Sequence, residues 1–171
     1  MAKGKSVERV RAALAAAGHP DTILAFAEPT RTAAEAAAVL GCDPAQIAKC
    51  IVFRAGDQAI LVITMGARLV DMAAVAGMLG QELQRAHPDW LREVTGFAAG
   101  GVAPIGHVSP PTTLLDEALL RAEVIWAAAG SPRHMFRTTP SELAAMTRAR
   151  IARVSFDPAA DQANTVRDTN Q

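Results

Sequence analysis

The stretch IAKCIVFRAGDQAILVIT, residues 47–64, decides the fold. It contains two runs rich in β-branched and other apolar residues, IAKCIVFR (47–54) and AILVIT (59–64), separated by the short connection AGDQ. Such runs around a short turn predict two antiparallel strands. Because both faces of the first run are apolar apart from Lys49, we expect this hairpin in the middle of a sheet.

Helices and further strands are predicted on both sides of this hairpin. Thr32 and Glu35 have the spacing of a capping box, and Gly41 is a typical helix end. We expect helices at 6–17 with Ser6 as N-cap, 32–41, from Asp71, 88–96 and 140–147, and strands at 23–27, 82–85, 112–120 (leading into a helical turn) and 123–130. This mixture favours an α+β or α/β domain built on a mixed sheet.

Length, charge and cysteine content limit the class of protein. The 171 residues suffice for one domain, which we assign to 1–156, and the polar stretch 157–171 is expected to be a disordered tail. Because 17 Lys and Arg balance 17 Asp and Glu, we expect contact with a short nucleic-acid end at most, and not with DNA. Two cysteines outside any CxxC pair, and the lack of a signal or membrane segment, predict a cytoplasmic protein.

Lys49 is the most informative single residue, because it interrupts an otherwise apolar strand. Lysine is almost never buried without a partner. One interpretation is a side chain that extends to water along its apolar stem. The other is a cation that a rigid strand holds in a binding pocket.

A glycine-rich loop, GFAAGGVAPIGH at 96–107, is the second informative feature. It has neither the GxGxxG spacing of dinucleotide-binding folds nor the GK[ST] ending of a P-loop, so a nucleotide phosphate site is poorly supported. Paired glycines, Gly100 and Gly101, allow backbone N–H groups to approach a ligand closely, as in an oxyanion hole. The alternative is a long connection that requires positive φ.

The segment GSPRH (130–134) and the other reactive residues give weaker signals. Ser131 and His134 lack the GxSxG context of a nucleophile, and an ordinary turn is the favoured interpretation. Cys50 is expected on the strand face opposite to Lys49, which favours a buried structural thiol. The four histidines form no metal-ligand pattern, so we expect neither a metal nor another cofactor.

Four segments together resemble the YbaK/prolyl-tRNA-synthetase-associated family of aminoacyl-tRNA deacylases. They are RTAAEAAAVLGCDPAQIAKCIVFR (31–54), GARLVD (66–71), LREVTGFAAGGVAPIGH (91–107) and WAAAGSPRHMFRTTPSELAAMT (126–147). The resemblance covers most of the chain and depends on the order of the helix, the lysine strand and the glycine loop. It implies a mixed, barrel-like sheet flanked by helices, no metal, and hydrolysis of the ester that joins a wrong amino acid to tRNA.

The resemblance also implies roles for individual residues. Lys49 matches the family's essential lysine, and Gly100 and Gly101 match the loop that holds the substrate carbonyl. The substrate-binding positions implied in the same way are Thr32, Met65, Gly66, Pro104, Gly106, Gly130, Ser131 and Pro132. Many relatives carry a serine in place of Met65, and alanine-specific relatives carry a histidine near Gly130, so the amino acid is left open.

The expected function is therefore deacylation of mischarged tRNA in trans, with prolyl-tRNA carrying a small wrong amino acid as substrate. The implied mechanism uses a positioned water, assisted in relatives by the terminal ribose hydroxyl or by a substrate thiol. The expected partners are the tRNA acceptor end and, transiently, a cognate synthetase. Two alternatives stay open: a catalytically silent module that binds the acceptor end or an amino acid, and a thiol enzyme that uses Cys50.

Overall fold

The computed structural model describes residues 2–160, with side chains from residue 4 onward. Strands β1–β10 span Ile23–Ala25, Ile47–Ala55, Gln58–Met65, Leu69–Val70, Gln84–Arg85, Thr112–Asp116, Ile125–Ser131, His134–Thr138, Arg150–Ala152 and Ser155–Phe156. Helices α1–α5 span Ala2–Ala16, Ala33–Leu40, Met72–Leu79, Pro88–Thr95 and Pro140–Thr147. The predicted mixture of strands and flanking helices is confirmed.

One mixed sheet organises these elements. Its strands follow the order β1-β8-β7-β2-β3-β6-β9, and β5 pairs with β2 outside this path. β2 and β3 form the predicted antiparallel hairpin near the centre, while β2 pairs with β7 and β3 with β6 in parallel. Among the described strands β1 and β9 end the sheet, so it is open, and the barrel-like character implied by the resemblance does not extend to closure.

Local capping interactions determine where α2 begins and ends. The Thr32 side chain accepts a hydrogen bond from the N–H of Glu35, and Gly41 ends the helix with a φ of 68°. In a standard capping box the Glu35 carboxylate would accept from the N–H of the N-cap residue, Thr32. Here it accepts instead from the N–H of the preceding residue, Arg31, at 2.7 Å. The predicted N-cap and helix end are therefore correct, because both signals lie within one turn of the helix.

The first helix differs from its prediction. α1 extends over Ala2–Ala16, so Ser6 lies inside the helix and is not its N-cap. Ser6 is only 7% exposed, and its hydroxyl donates to the C=O of Gly96 at 3.4 Å. Ser6 thus makes a tertiary contact with a distant loop. In the sequence alone, a serine at this position resembles a helix N-cap.

Four short strands that the sequence does not predict complete the sheets: β4, β8, β9 and β10. β8 forms a hairpin with β7, and β4 pairs with β10 in a separate two-stranded sheet. The expected disordered tail falls mainly on residues 161–171, which lie outside the described part of the chain. Within the described part, Asp157 accepts a hydrogen bond from the N–H of Ala159.

Alternation along β2 divides the core between the two faces of the sheet. Val52 belongs to the largest apolar cluster, which α1 and α5 cover. Phe53 belongs to a second cluster with α3, and Ile47 to a third with α2. Lys49 shares the face of Ile47 and Phe53, because side chains two residues apart lie on one face of a strand. The lysine therefore lies between the second and third clusters.

Candidate active site

A cavity of about 510 Å³ opens between the start of α2, β2 and the β7–β8 hairpin. Residues that are distant in the sequence line it together. Those predicted for the site and found in its lining are Thr32, Lys49, Gly66, Gly100, Ser131 and Pro132. The fold therefore gathers the helix start, the lysine strand, the glycine loop and the hairpin turn around one space.

The remaining predicted residues lie outside this lining: Met65, Gly101, Pro104, Gly106 and Gly130. Met65 packs against the largest core cluster. Pro104 and Gly106 line a second cavity, of about 210 Å³, beside α1. A Cβ on Gly130, which has a φ of 95°, would lie 2.8 Å from the backbone oxygen of Ser6, so this glycine allows α1 to pack closely on β7. Of these five positions, Met65 contacts the core, and Pro104, Gly106 and Gly130 lie beside α1.

Lys49 reaches the cavity from β2. Its side chain is half-buried, and within the described residues no hydrogen bond or ion pair is formed to it. The directly opposed residue on β3 is Thr64, whose buried hydroxyl has no partner in the same part of the chain. Because opposed residues share one face of a sheet, this face carries an unpaired cation beside an unpaired hydroxyl. A rigid strand thus presents a positive charge that a ligand can bind.

The two adjacent glycines of the loop have different surroundings. Gly100 has a φ of 85° and lines the cavity, and a Cβ there would meet nothing within 4 Å. The N–H of Gly101 donates to the C=O of Ala98 at 3.1 Å, and a Cβ would lie 3.1 Å from the Cα of Ser131. Val102 also lines the cavity, and neither its N–H nor that of Gly100 donates to an acceptor in the described chain. The candidate oxyanion donors are therefore Gly100 and Val102 rather than Gly101.

Ser131 and His134 form a directly opposed pair across the β7–β8 turn. Ser131 Oγ lies 2.6 Å from His134 Nδ1 and accepts a hydrogen bond from the N–H of Arg133 at 3.0 Å. Burial, with a smaller effect from the charge of Arg11, lowers the pKa of His134, so the ring is neutral at pH 7. Sequence reasoning favoured an ordinary turn and missed this contact, because β8 was not predicted.

The thiol of Cys50 lies on the opposite side of the sheet from Lys49. It packs against the largest core cluster, and burial raises the pKa of the thiol to about 12. A thiol that stays protonated is a poor nucleophile at pH 7. Cys50 is also among the residues that line the cavity. The geometry favours the structural interpretation of Cys50 over the thiol enzyme.

Other ionisable side chains are dispersed over the fold. Within residues 2–160, no three His, Cys, Asp or Glu side chains are grouped as a metal site requires. His107 lies at the second cavity, with Nε2 2.6 Å from the C=O of Ala103. In the same part of the chain, no helix combines the length and the apolar character needed to cross a membrane.

The chain is thus a small α+β domain with an open mixed sheet, in which the lysine strand and the glycine loop line one cavity. The family model of the aminoacyl-tRNA editing domain matches residues 27–146. The chain belongs to this family. The resemblance seen in the sequence is thereby confirmed, and membership supports deacylation of aminoacyl-tRNA as the activity.

Similar proteins match this chain over most of its length. The uncharacterized protein YwhH of Bacillus subtilis (strain 168) is 29% identical over 147 residues, which are 85% of this chain and 94% of that protein. A crystal structure of a protein proposed to be a trans-editing enzyme for prolyl tRNA synthetase is 40% identical, with a TM-score of 0.85, and covers 89% of this chain and 98% of its own. The hypothetical protein APE2540 is 27% identical, with a TM-score of 0.80, and covers 86% of this chain and 99% of its own.

Proposed function

We propose that this protein hydrolyses mischarged tRNA in trans and removes a small wrong amino acid from the tRNA for proline. The observation that carries the proposal is the position of Lys49, which has no partner in the described chain, in a cavity also lined by Gly100 and Val102. The family supports an ester of tRNA as the substrate class. The similar protein proposed to edit for prolyl tRNA synthetase supports the tRNA for proline as the substrate tRNA, with a synthetase as a transient partner.

In the proposed reaction, a water molecule attacks the carbonyl carbon of the ester. The N–H groups of Gly100 and Val102 stabilise the oxyanion that forms, and one such donor contributes about 10²-fold or more to the rate. The bond between the carbonyl carbon and the ribose oxygen then breaks. The ribose oxygen takes up the proton that the water loses, which yields the free amino acid and intact tRNA. Lys49 orients the substrate by contacting the polar terminal nucleotide.

Selection of the amino acid depends on shape in this proposal. Small side chains line much of the cavity, among them Ala33, Ala48 and Ala128. One methylene group changes discrimination in an apolar pocket by only about 1–3 kcal/mol. We therefore expect overlapping activity on alanine, 2-aminobutyrate, cysteine and serine, while the rigid ring of proline fits poorly.

A panel of charged tRNAs tests the proposal. Catalytic amounts of the protein are incubated with tRNA for proline that carries alanine, 2-aminobutyrate, cysteine, serine or proline, and release of the amino acid is followed over time. We expect multiple turnovers on at least one small-residue ester, at a rate above that for the prolyl ester. Faster hydrolysis of the prolyl ester than of all four others contradicts the proposed substrate. Binding without turnover on every ester identifies the silent module instead.

A further inference from the structure

The central sheet opens beside Cys50. β7 pairs with β2 only at residues 47–48, and β5 pairs with β2 only at residues 53–54. Between these two pairings, β3 is the only described strand beside β2. We call this opening the β2–β7 split. The main cavity lies in it, because Cys50 on one side and Ala128 on the other both belong to the cavity lining.

The hydrogen-bond alternation of β2 shows which backbone groups face the split. The N–H of Gly66 donates to the C=O of Ile47 at 2.8 Å, so Ile47 is a bonded position in the pairing with β3. Bonded positions recur at every second residue of an antiparallel pair, which directs the backbone of Lys49 and Ile51 to β3. The N–H and C=O of Cys50 therefore point away from β3 and into the split.

The parallel pairing with β7 ends just before it would use these groups. Ala48 points to β7 and is paired with Ala127, so it bonds to the residues on both sides of that partner, Trp126 and Ala128. The next bond in the series would join the N–H of Cys50 to the C=O of Ala128, and the pairing stops at Ala48. Where the pairing with β7 ends, the split thus presents the N–H of Cys50 as a donor and the C=O groups of Cys50 and Ala128 as acceptors.

We propose that the β2–β7 split binds the α-amino and carbonyl groups of the aminoacyl ester as one inserted residue of a β-ladder. This inference rests on the proposed function and names the atoms that recognise its substrate. A bonded residue of an antiparallel pair exchanges two hydrogen bonds with the residue opposite. The C=O of Cys50 accepts from the α-ammonium group, and the N–H of Cys50 donates to the ester carbonyl oxygen.

The donor and acceptor groups of the ligand match those of the split. An ammonium group has three protons to donate, and Ala128 C=O provides an acceptor in addition to that of Cys50. An ester carbonyl bound at Cys50 lies in the cavity that Gly100 and Val102, the candidate oxyanion donors, also line. Because all α-amino acids share these groups, the split recognises the aminoacyl backbone, and the cavity walls select the side chain.

A pair of substrates that differ only in the α-amino group tests the inference on the unaltered protein. Alanyl-tRNA is compared with propionyl-tRNA, which keeps the carbonyl and the methyl group but has no ammonium to donate. Each kcat/KM is divided by the spontaneous hydrolysis rate of the same ester, since the ammonium group itself activates the carbonyl. We expect a preference of at least tenfold for the alanyl ester. Equal normalised values, with turnover retained, overturn the inference and leave the proposed function standing.

Two matched backbone changes locate the contact. An α-hydroxy acid in place of Ile51 weakens the C=O of Cys50 as an acceptor and removes one bond to β3. The same change at Phe53 also removes one bond to β3 but lies outside the split. We expect the preference for the alanyl ester to fall at least threefold in the first variant and to persist in the second. Equal preference in both folded variants contradicts the inference.

Binding of stable analogues separates this inference from the proposed function. The ligands are 3′-alanylamido-3′-deoxyadenosine and its propionyl counterpart, neither of which requires turnover. Tighter binding of the alanyl compound, by tenfold or more, supports the split as the amino-group site even if no ester is hydrolysed. Equal affinity for the two compounds overturns it. Lack of turnover on every ester overturns the proposed function alone.

Discussion

The two ends of β2 each carry a cationic side chain, and within the described chain the protein pairs only one of them. Arg54 donates from Nε to the C=O of Gly56, contacts Asp57 at 3.1 Å and lies over the ring of Trp90 at 4.8 Å. Lys49 has no such partner among the same residues and faces the main cavity. One cation thus stabilises a turn, while the other is available to a ligand.

The two ends of β2 also differ in strand pairing. Residues 53–54 have β3 on one side and β5 on the other. Residues 49–51 have only β3 beside them in the described chain. Backbone groups in a folded protein require partners, and a ligand can supply those that the sheet does not. The candidate site therefore lies where a central strand loses one neighbour.

The largest contrast is expected between two glycines that lie at the two ends of β3. A Cβ on Gly66, which has a φ of 52°, would lie 2.8 Å from the backbone oxygen of Pro44. At Gly56, with a φ of 59°, the nearest atom is Gln81 Oε1 at 4.0 Å. We expect Gly66→Ala to lower the free energy of unfolding by about 3 kcal/mol and Gly56→Ala by about 1 kcal/mol. Urea unfolding measures both, and equal losses contradict the expectation.

The two cations of β2 provide the next contrast. We expect Lys49→Ala to fold normally and to lose at least tenfold in kcat/KM, which corresponds to about 1.4 kcal/mol. Arg54→Ala is the matched control, because its partners in the β2–β3 turn and on α4 do not line the cavity, and its kcat/KM should stay within about twofold. Circular dichroism checks the fold of both variants. Activity of Lys49→Ala within about twofold of wild type refutes the role assigned to the lysine.

A smaller effect is expected for alkylation of the Cys50 thiol, which lies beside the β2–β7 split. Burial raises the pKa of Cys50 to about 12, and burial, followed by the charge of Asp43, raises that of Cys42 to a smaller extent. Iodoacetamide at pH 7 should therefore modify Cys42 first and leave Cys50 intact in the folded protein, with deacylase activity retained. Mass spectrometry identifies the modified residue. Rapid modification of Cys50 with parallel loss of activity would restore the thiol-enzyme alternative.

The smallest expected effect is the pH dependence that His134 adds to stability. Its folded pKa is lowered by burial from an ordinary value of 6.5, so the unfolded chain binds more protons just below that pH. The contribution of His134 to the unfolding free energy is fully present above about pH 6.5 and is lost as the pH falls toward the folded pKa. We expect His134→Gln to flatten the decrease in unfolding free energy between pH 7 and 5. Urea unfolding at several pH values tests this, and an unchanged slope contradicts it.

Several elements could be predicted from sequence because their signals are local. Thr32 and Gly41 mark the ends of α2, and two β-rich apolar runs around a short connection mark the central hairpin. The failures have a common cause. Ser6 resembles a helix cap but contacts the distant Gly96, and β8 is recognisable only through its pairing with β7. The other missed strands, β4, β9 and β10, carry too few residues for a periodic pattern to identify them.

Some residues of the candidate site could likewise be predicted from the sequence, while others could not. Lys49 could be singled out because a cation in an apolar strand is costly, and Gly100 because a glycine pair marks an unusual backbone. The different surroundings of Gly100 and Gly101 could not be predicted, since they depend on contact with Ser131 in a remote hairpin. The contact between Ser131 and His134 also requires the turn that joins β7 to β8.

The sequence by itself determined the family resemblance, the mixed architecture and the lysine on the central strand, because residue type and spacing carry that information locally. Only the tertiary structure decided which groups are left without partners. The backbone of Cys50 is identical in kind to that of any strand residue, and it faces the β2–β7 split because β7 leaves β2 after Ala48. That divergence depends on how distant segments pack, and a linear pattern does not encode the position at which two strands separate.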